Sequence, residues 1–440
     1  MNKSFFYISA LLLLTTTAVK AQDDVYPAKD YKGKLFITGG TIHVGNGQVI
    51  EGGTIAVDNG KIVQVGQNIT IPSGDANVID AKGKQIYPGI ILPVSDLGLK
   101  EIGSGVRGSN DFEELGDLNP SIRSIVAYNT DSKIINTLKA SGILLAGVAP
   151  QGGSISGSST VVQLDAWNWE DAAYKMDGAI HINLPSFIVR PRRFGGGGGR
   201  GVGAPPTDPV KEALGKIEEI KAFFREARAW LEEPAHKETN LKFLAVKGLF
   251  SKQQKLFVHG DQVKQMLIAI DFAKEFGFEV VIVGGSESWL IADLLKQNNI
   301  AVILGQQHSL PTTEDDDVDQ PYKTPAQLQK AGVLFALNDD NEETRFRNLA
   351  YNAGTAAAYG LTKEQALQAI TLNSAKILGI EDRTGSLEAG KDANIVISAG
   401  DILDMRTSLV EHAFIQGREV SLENKQTQLY KRYMSKYGLL

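Results

Sequence analysis

Between positions 33 and 87, hydrophobic and polar residues alternate in short runs that are separated by turn signals. Lys34–Ile37, Thr54–Val57 and Lys61–Val65 have the length and the alternation of half-buried strands. Asp58-Asn59-Gly60 separates two of these runs, and Asn-Gly supplies the positive φ angles of a type I′ hairpin turn. This part of the chain is therefore predicted to be a small all-β unit.

The pattern changes after residue 87 to continuous apolar runs that alternate with helical stretches. The apolar runs are Gly142–Val148, Leu256–Val258, Glu279–Val283, Ile300–Leu304 and Val333–Leu337. Helices are predicted at about Pro209–Glu232 and Val263–Phe276. Strands that are apolar throughout are typical of a parallel sheet buried on both faces. This rhythm, over about 300 residues, predicts an α/β fold built on a (β/α)₈ TIM-like barrel.

Strand-like segments return after Leu378, around Ile395–Ile397 and from Val410 to Val420. We expect these segments to pair with the β unit at the other end of the chain and to form one small β-sandwich. The predicted segments are a signal peptide at 1–21, the first part of the sandwich at 22–87, the barrel at 88–385, and the rest of the sandwich with a C-terminal helix at 386–440.

Composition and charge narrow the range of partners. The chain has 440 residues and a net charge of -6, so it offers no general basic surface for nucleic acid. The absence of cysteine excludes disulfides and thiolate chemistry. We therefore expect a small-molecule substrate or ligand and no nucleic acid.

The first residues have the features of a secretory signal. Lys3 precedes the apolar run Phe5–Val19, and Val19-Lys20-Ala21 places small residues before a cleavage site. An uncleaved anchor helix is the alternative. The protein is predicted to be exported, either periplasmic or secreted, with no membrane span after cleavage.

Three stretches resemble the amidohydrolase superfamily, in the branch near imidazolonepropionase. The first runs from Asp58 through Val63 to Val78–Lys84, the second is Tyr87-Pro88-Gly89-Ile90, and the third is Gly385-Ser386-Leu387 through Val396. Together with the rhythm between them, the resemblance covers about Lys34 to Gly417. It implies a metal-dependent hydrolase in which a sandwich from both chain ends flanks the barrel.

The resemblance also implies where the metal ligands belong. Family members carry Asp-x-His-x-His on strand 1, but this chain has Leu92, Val94 and Asp96 at those positions. Of these, only Asp96 has a side chain that binds zinc. On strand 6, Gly284 stands where a histidine belongs.

Two positions keep the family's residue type. His259 follows strand 5 and Asp339 follows strand 8, where barrel enzymes keep their chemistry. His308 follows strand 7, so we expect it to reach the same mouth. The resemblance implies that Asp339 is the catalytic base and that His259 is a metal ligand; Asp96 and His308 are the further candidates for metal ligands. The alternatives are a structural histidine at 259, a loop histidine at 308 and a helix N-cap at Asp339.

A glycine- and serine-rich segment, Pro150–Ser159, follows an apolar strand. Small residues let backbone amides approach a ligand closely, so Gly152, Gly153, Ser154 and Ser156 are predicted to bind substrate. A tight structural turn is the alternative for this segment.

Two functions stay open at this point. The first is an amidohydrolase-family hydrolase of carbon–nitrogen bonds with a reduced site that holds one divalent metal, zinc being the favoured ion. The second is a catalytically inactive family member that binds a ligand or pairs with an intact relative. Homo-oligomers are common in the family and are open here as well.

Overall fold

The structure is a computed structural model that describes residues 25–72, 76–101, 110–187, 208–313, 315–339 and 344–439. The predicted signal peptide at 1–21 lies outside the described residues, so export stays a prediction. None of the helices within these ranges is both long enough and apolar enough to cross a membrane.

Strands account for both predicted units. They are β1 (Lys34–His43), β2 (Val49–Asp58), β3 (Lys61–Gly66), β4 (Ala76–Asp80), β5 (Gln85–Pro88), β6 (Ile90–Ser95), β7 (Ile143–Val148), β8 (Ile155–Gln163), β9 (Ala173–Asn183), β10 (Lys255–Gly260), β11 (Val280–Gly284), β12 (Ala301–Leu304), β13 (Phe335–Leu337), β14 (Ile395–Ser398), β15 (Val410–Ile415) and β16 (Arg418–Glu419).

Most helices lie between the barrel strands. They are α1 (Ser124–Ala127), α2 (Lys133–Ala140), α3 (Trp169–Ala172), α4 (Pro209–Glu232), α5 (Leu241–Ala245), α6 (Lys247–Phe250), α7 (Val263–Phe276), α8 (Ala292–Gln297), α9 (Gln320–Ala331), α10 (Leu349–Ala358), α11 (Lys363–Ala369), α12 (Leu372–Leu378) and α13 (Lys425–Lys436). Short 3-10 turns at Ser288–Ile291 and Phe346–Asn348 precede α8 and α10.

Both chain ends contribute to one mixed sheet. Its order is β16-β15-β14-β5-β1-β2-β3, and β4 pairs with β1. The antiparallel pairing of β14 with β5 joins the ends, as the sequence predicted. Asn59 and Gly60 both have positive φ, which confirms the predicted hairpin turn. The strands form a single hydrogen-bonded sheet, and its folding into a two-layer sandwich stays a prediction.

The second sheet is a nearly closed barrel of eight strands in the order β6 to β13. The chain passes from the first sheet into the barrel at Gly89, between β5 and β6. Across the seam between β6 and β13, the backbone N–H of Val94 donates to Oδ1 of Asn338 at 3.3 Å. A side chain therefore links the two end strands of the barrel.

One strand departs from the predicted (β/α)₈ pattern. β8 is antiparallel to both β7 and β9, whereas the other neighbouring barrel strands are parallel. Residues 149–154 form the whole connection from β7 to β8. A connection of this length permits an antiparallel turn but is too short for a parallel crossover. The predicted loop at 150–159 was thus partly wrong, because β8 already begins at Ile155.

A polar contact joins the barrel to the mixed sheet. The hydroxyl of Tyr174, in β9, donates to Oδ2 of Asp392 at 2.5 Å. Lys61 and Arg383 also pair with this buried carboxylate. Because β14 follows Asp392 directly, this contact fixes the sheet against the barrel.

Candidate active site

The parallel strands end at a polar opening, called here the mouth. Two adjoining cavities, of about 490 and 520 Å³, lie there and share Asp261, Pro311 and Thr312. Their walls come from residues at or just after the ends of β9, β10, β11 and β12. Barrel enzymes place their active sites at this end of the strands.

His259 lines the larger of these cavities, and a second histidine supports it. Nδ1 of His181 lies 2.8 Å from Nε2 of His259. The two residues sit on neighbouring parallel strands, where His181 is in register with Phe257 and His259 with Asn183. Side chains two residues apart share a face of a strand, so this pairing places both imidazoles on one face.

Both imidazoles are kept neutral by their surroundings. Burial lowers the pKa of His259 to about 4. His181 is fully buried, and burial together with the nearby His259 lowers its pKa well below the usual value. At neutral pH the two rings therefore act as hydrogen-bonding groups, or as bases, and carry no charge.

Asp339 lies just beyond β13 and is fully buried. Its Oδ2 accepts a hydrogen bond from Nδ2 of Asn352, in α10, at 2.9 Å. Oδ1 of the same Asn352 accepts from the backbone N–H of His308 at 3.3 Å. Asp339 is thus bonded to a side chain in the first turns of α10 and does not cap that helix.

The other predicted ligands have separate partners. His308 lies on the exposed loop after β12, as the loop-histidine alternative predicts. Its Nε2 lies 2.7 Å from the hydroxyl of Thr355, in α10. Asp96 is buried just after β6, where its Oδ2 accepts from Nε2 of Gln151 at 3.1 Å. Lys100 lies 3.9 Å from the same oxygen.

Several buried polar atoms around the mouth have no hydrogen-bond partner among the described residues. They are Nε2 of His181, Oε1 of Gln307 and Nδ2 of Asn338. Each such atom costs about 1–3 kcal/mol of stability. Asn338 directly follows β13, and Gln307 lies shortly after the end of β12. These two unpaired atoms therefore belong to the end of the barrel where catalysis is expected.

Comparison with known proteins places this geometry in a family. A solved amidohydrolase from Thermotoga maritima has 28% sequence identity and a TM-score of 0.75, and the match covers 88% of this chain and 99% of that one. The sequence profile of the Amidohydrolase family matches residues 281–421. The chain belongs to the amidohydrolase superfamily.

Curated relatives agree over shorter lengths. "Amidohydrolase tasK" from Hapsidospora irregularis is 22% identical over 368 residues, which are 77% of this chain and 36% of the relative. An imidazolonepropionase from Picrophilus torridus is 26% identical over 179 residues, which are 39% of this chain and 43% of the relative. The chain therefore spans less than half the length of these two relatives.

Amidohydrolases typically bind a divalent metal, so we tested the described residues for a ligand set. No group of three or more His, Asp or Glu side chains in the described ranges is placed to hold an ion. The predicted ligands Asp96, His259 and His308 are not gathered into one group there. A catalytic zinc takes three protein ligands, so the described residues do not fit the metal set of the amidohydrolases.

Gly284 stands where the resemblance places a histidine on strand 6. Its φ is +101°, which favours glycine, and an added Cβ would lie 2.7 Å from Oδ1 of Asp261. A side chain at this position would strain the backbone and displace the Asp261 carboxylate.

The glycine–serine segment contains the connection from β7 to β8. Both the backbone N–H and the hydroxyl of Ser154 donate to Oδ1 of Asp117 at 3.0 Å. The carbonyls of Gly152 and Gly153 and the hydroxyl of Ser156 accept from Nδ2 of Asn183. The two donors of Ser154 are thus used within the protein, which favours the turn alternative for that residue. Substrate binding by Gly152, Gly153 and Ser156 stays a prediction.

Sequence reasoning missed His181, Asn338 and Asn352. His181 lies between Ile180 and Ile182 in a strand that we did not predict, although a polar residue alternating with apolar ones was a usable signal. Asn338 was seen only as a neighbour of Asp339. The role of Asn352 depends on the packing of α10 across the end of β13, which no local pattern reveals.

Proposed function

We propose that this amidohydrolase hydrolyses a carbon–nitrogen bond of a small molecule at the mouth of its barrel. The observation that carries the proposal is the pair of neutral histidines, His181 and His259, together with buried polar atoms at strand ends that have no partner among the described residues. Barrel interiors are usually filled with apolar side chains. Buried polar groups without partners are costly, and their retention here favours a site that a substrate or water completes.

Asp339 and His259 are the side chains proposed to act on the substrate. Water attacks the amide carbon, and the carboxylate of Asp339 accepts the proton of that water and passes it to the departing nitrogen. Asn352 orients the Asp339 carboxylate by donating a hydrogen bond to Oδ2 at 2.9 Å. His259 is neutral, and its Nδ1 is the nitrogen left for a hydrogen bond with substrate or water, because Nε2 is occupied by His181. Nδ1 donates if His181 donates to Nε2, and it accepts if Nε2 is the donor.

Turnover assays test this proposal directly. A panel of N-acyl amino acids, cyclic amides and dipeptides is incubated with the full chain, and amine release is measured. We expect hydrolysis of at least one member, a loss of at least about 100-fold in kcat for Asp339→Asn, and little change for the control Asp382→Asn on the surface. Turnover that survives Asp339→Asn unchanged would refute the assigned base.

Metal binding is a separate prediction for the same preparation. The described residues bring no three predicted ligands together, so any bound zinc would need donors beyond Asp96, His259 and His308. Elemental analysis of protein purified without chelators measures it. Less than a tenth of a metal per chain, unchanged after zinc is added, would exclude a metal-dependent reaction.

An inactive family member is the second candidate. The absence of a three-ligand group among the described residues favours it. Such a protein would bind a ligand at the mouth or pair with an intact relative, and it would turn over no member of the panel. Co-purification of a second amidohydrolase from the native source would support the paired form.

A further inference from the structure

A further cavity lies beside the beginning of β7. It has a volume of about 540 Å³ and lies between the segment before β1, α2, the loop after β8 and the start of α13. The backbone N–H of Leu164, which lines it, donates to the carbonyl of Leu144 near the beginning of β7. This cavity, called here the basal groove, shares no lining residue with the two mouth cavities and is therefore a separate site.

Two exposed aromatic side chains form one wall of the basal groove. Tyr26 and Trp167 are 66% and 62% exposed. Their ring centroids lie 6.1 Å apart and the ring planes differ by 30°. Aromatic rings exposed side by side are apolar surface that a folded protein usually covers, and such surface marks binding sites. The two rings therefore offer a broad, slightly angled face to a ligand.

The floor of the basal groove is fixed by buried polar contacts. Nζ of Lys139 donates to Oδ1 of Asp165 at 2.9 Å, and both side chains are buried. Oδ2 of Asp165 accepts from the backbone N–H of Ala28 at 2.8 Å, which ties the segment bearing Tyr26 to the barrel. The Thr130 hydroxyl donates to the carbonyl of Trp167 at 3.3 Å. The aromatic wall is thus held in place before a ligand arrives, which reduces the entropy cost of binding.

The remaining lining is polar and nearly balanced in charge. Lys139 and Asp165 neutralise each other, and the other charged lining residues are Asp131, Lys133 and Lys425. The amide side chains of Asn136 and Gln428 also line the groove. This balance disfavours a strongly charged ligand, and the polar lining disfavours a purely apolar one.

We propose that the basal groove binds a neutral saccharide. A sugar ring has an apolar face of C–H groups, which packs on the rings of Trp167 and Tyr26. Its rim of hydroxyls both donates and accepts hydrogen bonds, which matches the amide and hydroxyl groups along the groove. The proposal does not depend on catalysis at the mouth.

Binding of neutral hexasaccharides to the full chain tests the proposal. Maltohexaose, cellohexaose, laminarihexaose and hexa-N-acetylchitohexaose are titrated by calorimetry and by tryptophan fluorescence. We expect at least one to bind with a Kd of about 1 mM or tighter. Trp167→Ala and Tyr26→Ala should each weaken that binding about tenfold or more.

Trp169→Ala is the matched control, because Trp169 is also exposed and close in sequence but does not line the groove. It should bind the saccharide as the unaltered chain does, and thermal unfolding verifies that each variant is folded. Failure of all four saccharides to bind overturns the proposal, as does binding that Trp167→Ala leaves unchanged. The proposal would also be overturned if none of the saccharides binds and hexaalanine binds in a way that Trp167→Ala weakens, because the groove would then be a peptide site.

Discussion

Nδ1 of His181 lies 2.8 Å from Nε2 of His259. A single proton occupies such a contact, so one imidazole donates and the other accepts. The pair fixes the orientation of the His259 ring and leaves Nδ1 as its remaining nitrogen for a ligand. His181 lines neither mouth cavity and bonds the His259 ring that does, so we assign it as a positioning residue.

The histidine pair predicts a loss of stability in acid. The folded pKa of His259 is about 4, below the ordinary value of 6.5, so the unfolded chain takes up the proton first as pH falls. Stability contributed by the neutral ring is complete above pH 6.5 and is lost as pH falls toward 4. The expected loss is on the order of 3 kcal/mol, with His181 acting in the same direction.

Urea unfolding across that pH range measures the effect. The double variant His181→Phe/His259→Phe should show a weaker decline in the free energy of unfolding than the unaltered chain. Phe335→Leu, which alters the buried barrel core without removing a titratable group, is the control and should keep the original slope. Parallel curves for the double variant and the unaltered chain would contradict the prediction.

Gly284 and Gly215 predict opposite effects of the same substitution. Gly284→Ala should destabilise the protein by about 1–2 kcal/mol, because φ is +101° and the new Cβ would meet Oδ1 of Asp261. Gly215 lies in α4 with open space around it, so Gly215→Ala should stabilise by about 0.4–1 kcal/mol. Denaturant unfolding measures the change in the free energy of unfolding for both variants. Equal changes in the same direction would show that the backbone conformation at each glycine does not determine the effect.

The fold was largely predictable because its signals are local or repeat along the chain. The bounds of α4 and α7 were predicted correctly, since both helices combine apolar periodicity with clear limits. The Asn59-Gly60 turn follows from residue chemistry alone. The reversed direction of β8 was missed, because the prediction extended one regular rhythm over a connection that is too short for it.

The site was less predictable, because it depends on contacts between distant parts of the chain. His259 and Asp339 were found by their positions after strands. Their partners, His181 and Asn352, are brought to them only by strand register and helix packing. Asp96 and His308 also follow strands, yet their side chains meet Gln151 and Thr355. The position of a residue after a strand therefore indicated the end of the barrel at which its side chain lies, but it did not indicate the contacts of that side chain.

Asn352 is predicted to support both stability and activity. Asn352→Leu removes the donor to Oδ2 of Asp339 and leaves a buried carboxylate with one fewer hydrogen bond. We expect a loss of about 1–3 kcal/mol in the free energy of unfolding and, if the mouth is catalytic, a higher pH for half-maximal kcat. Thr355→Val, on the same helix, removes the exposed contact with His308 and the hydrogen bond from the Thr355 hydroxyl to the Tyr351 carbonyl, and it should cost less than about 1 kcal/mol. Equal losses for the two variants would argue against a special role for Asn352.

Lys139 is predicted to be among the most sensitive lysines of the chain. Lys139→Met keeps most of the side-chain volume but removes the charge that faces Oδ1 of Asp165, whose carboxylate is buried. Removing one partner of a buried ion pair costs about 3–5 kcal/mol of stability, because the remaining charge is left buried without its counter-charge. Arg418, 3.6 Å from Oδ2, offsets part of that cost.

A second substitution separates the ion pair from the packing of Lys139. Lys139→Met/Asp165→Asn removes both charges and should recover part of the loss, since the buried amide no longer carries a charge. Lys133→Met, at an exposed position of the same helix, should change the free energy of unfolding by less than about 0.5 kcal/mol. If Lys139→Met and Lys133→Met unfold at the same urea concentration, the ion pair with Lys139 does not stabilise the buried Asp165.

Asp165 also accepts a hydrogen bond from the backbone N–H of Ala28. Loss of the ion pair in Lys139→Met should therefore loosen the segment that carries Tyr26 and lower the saccharide affinity of the basal groove as well.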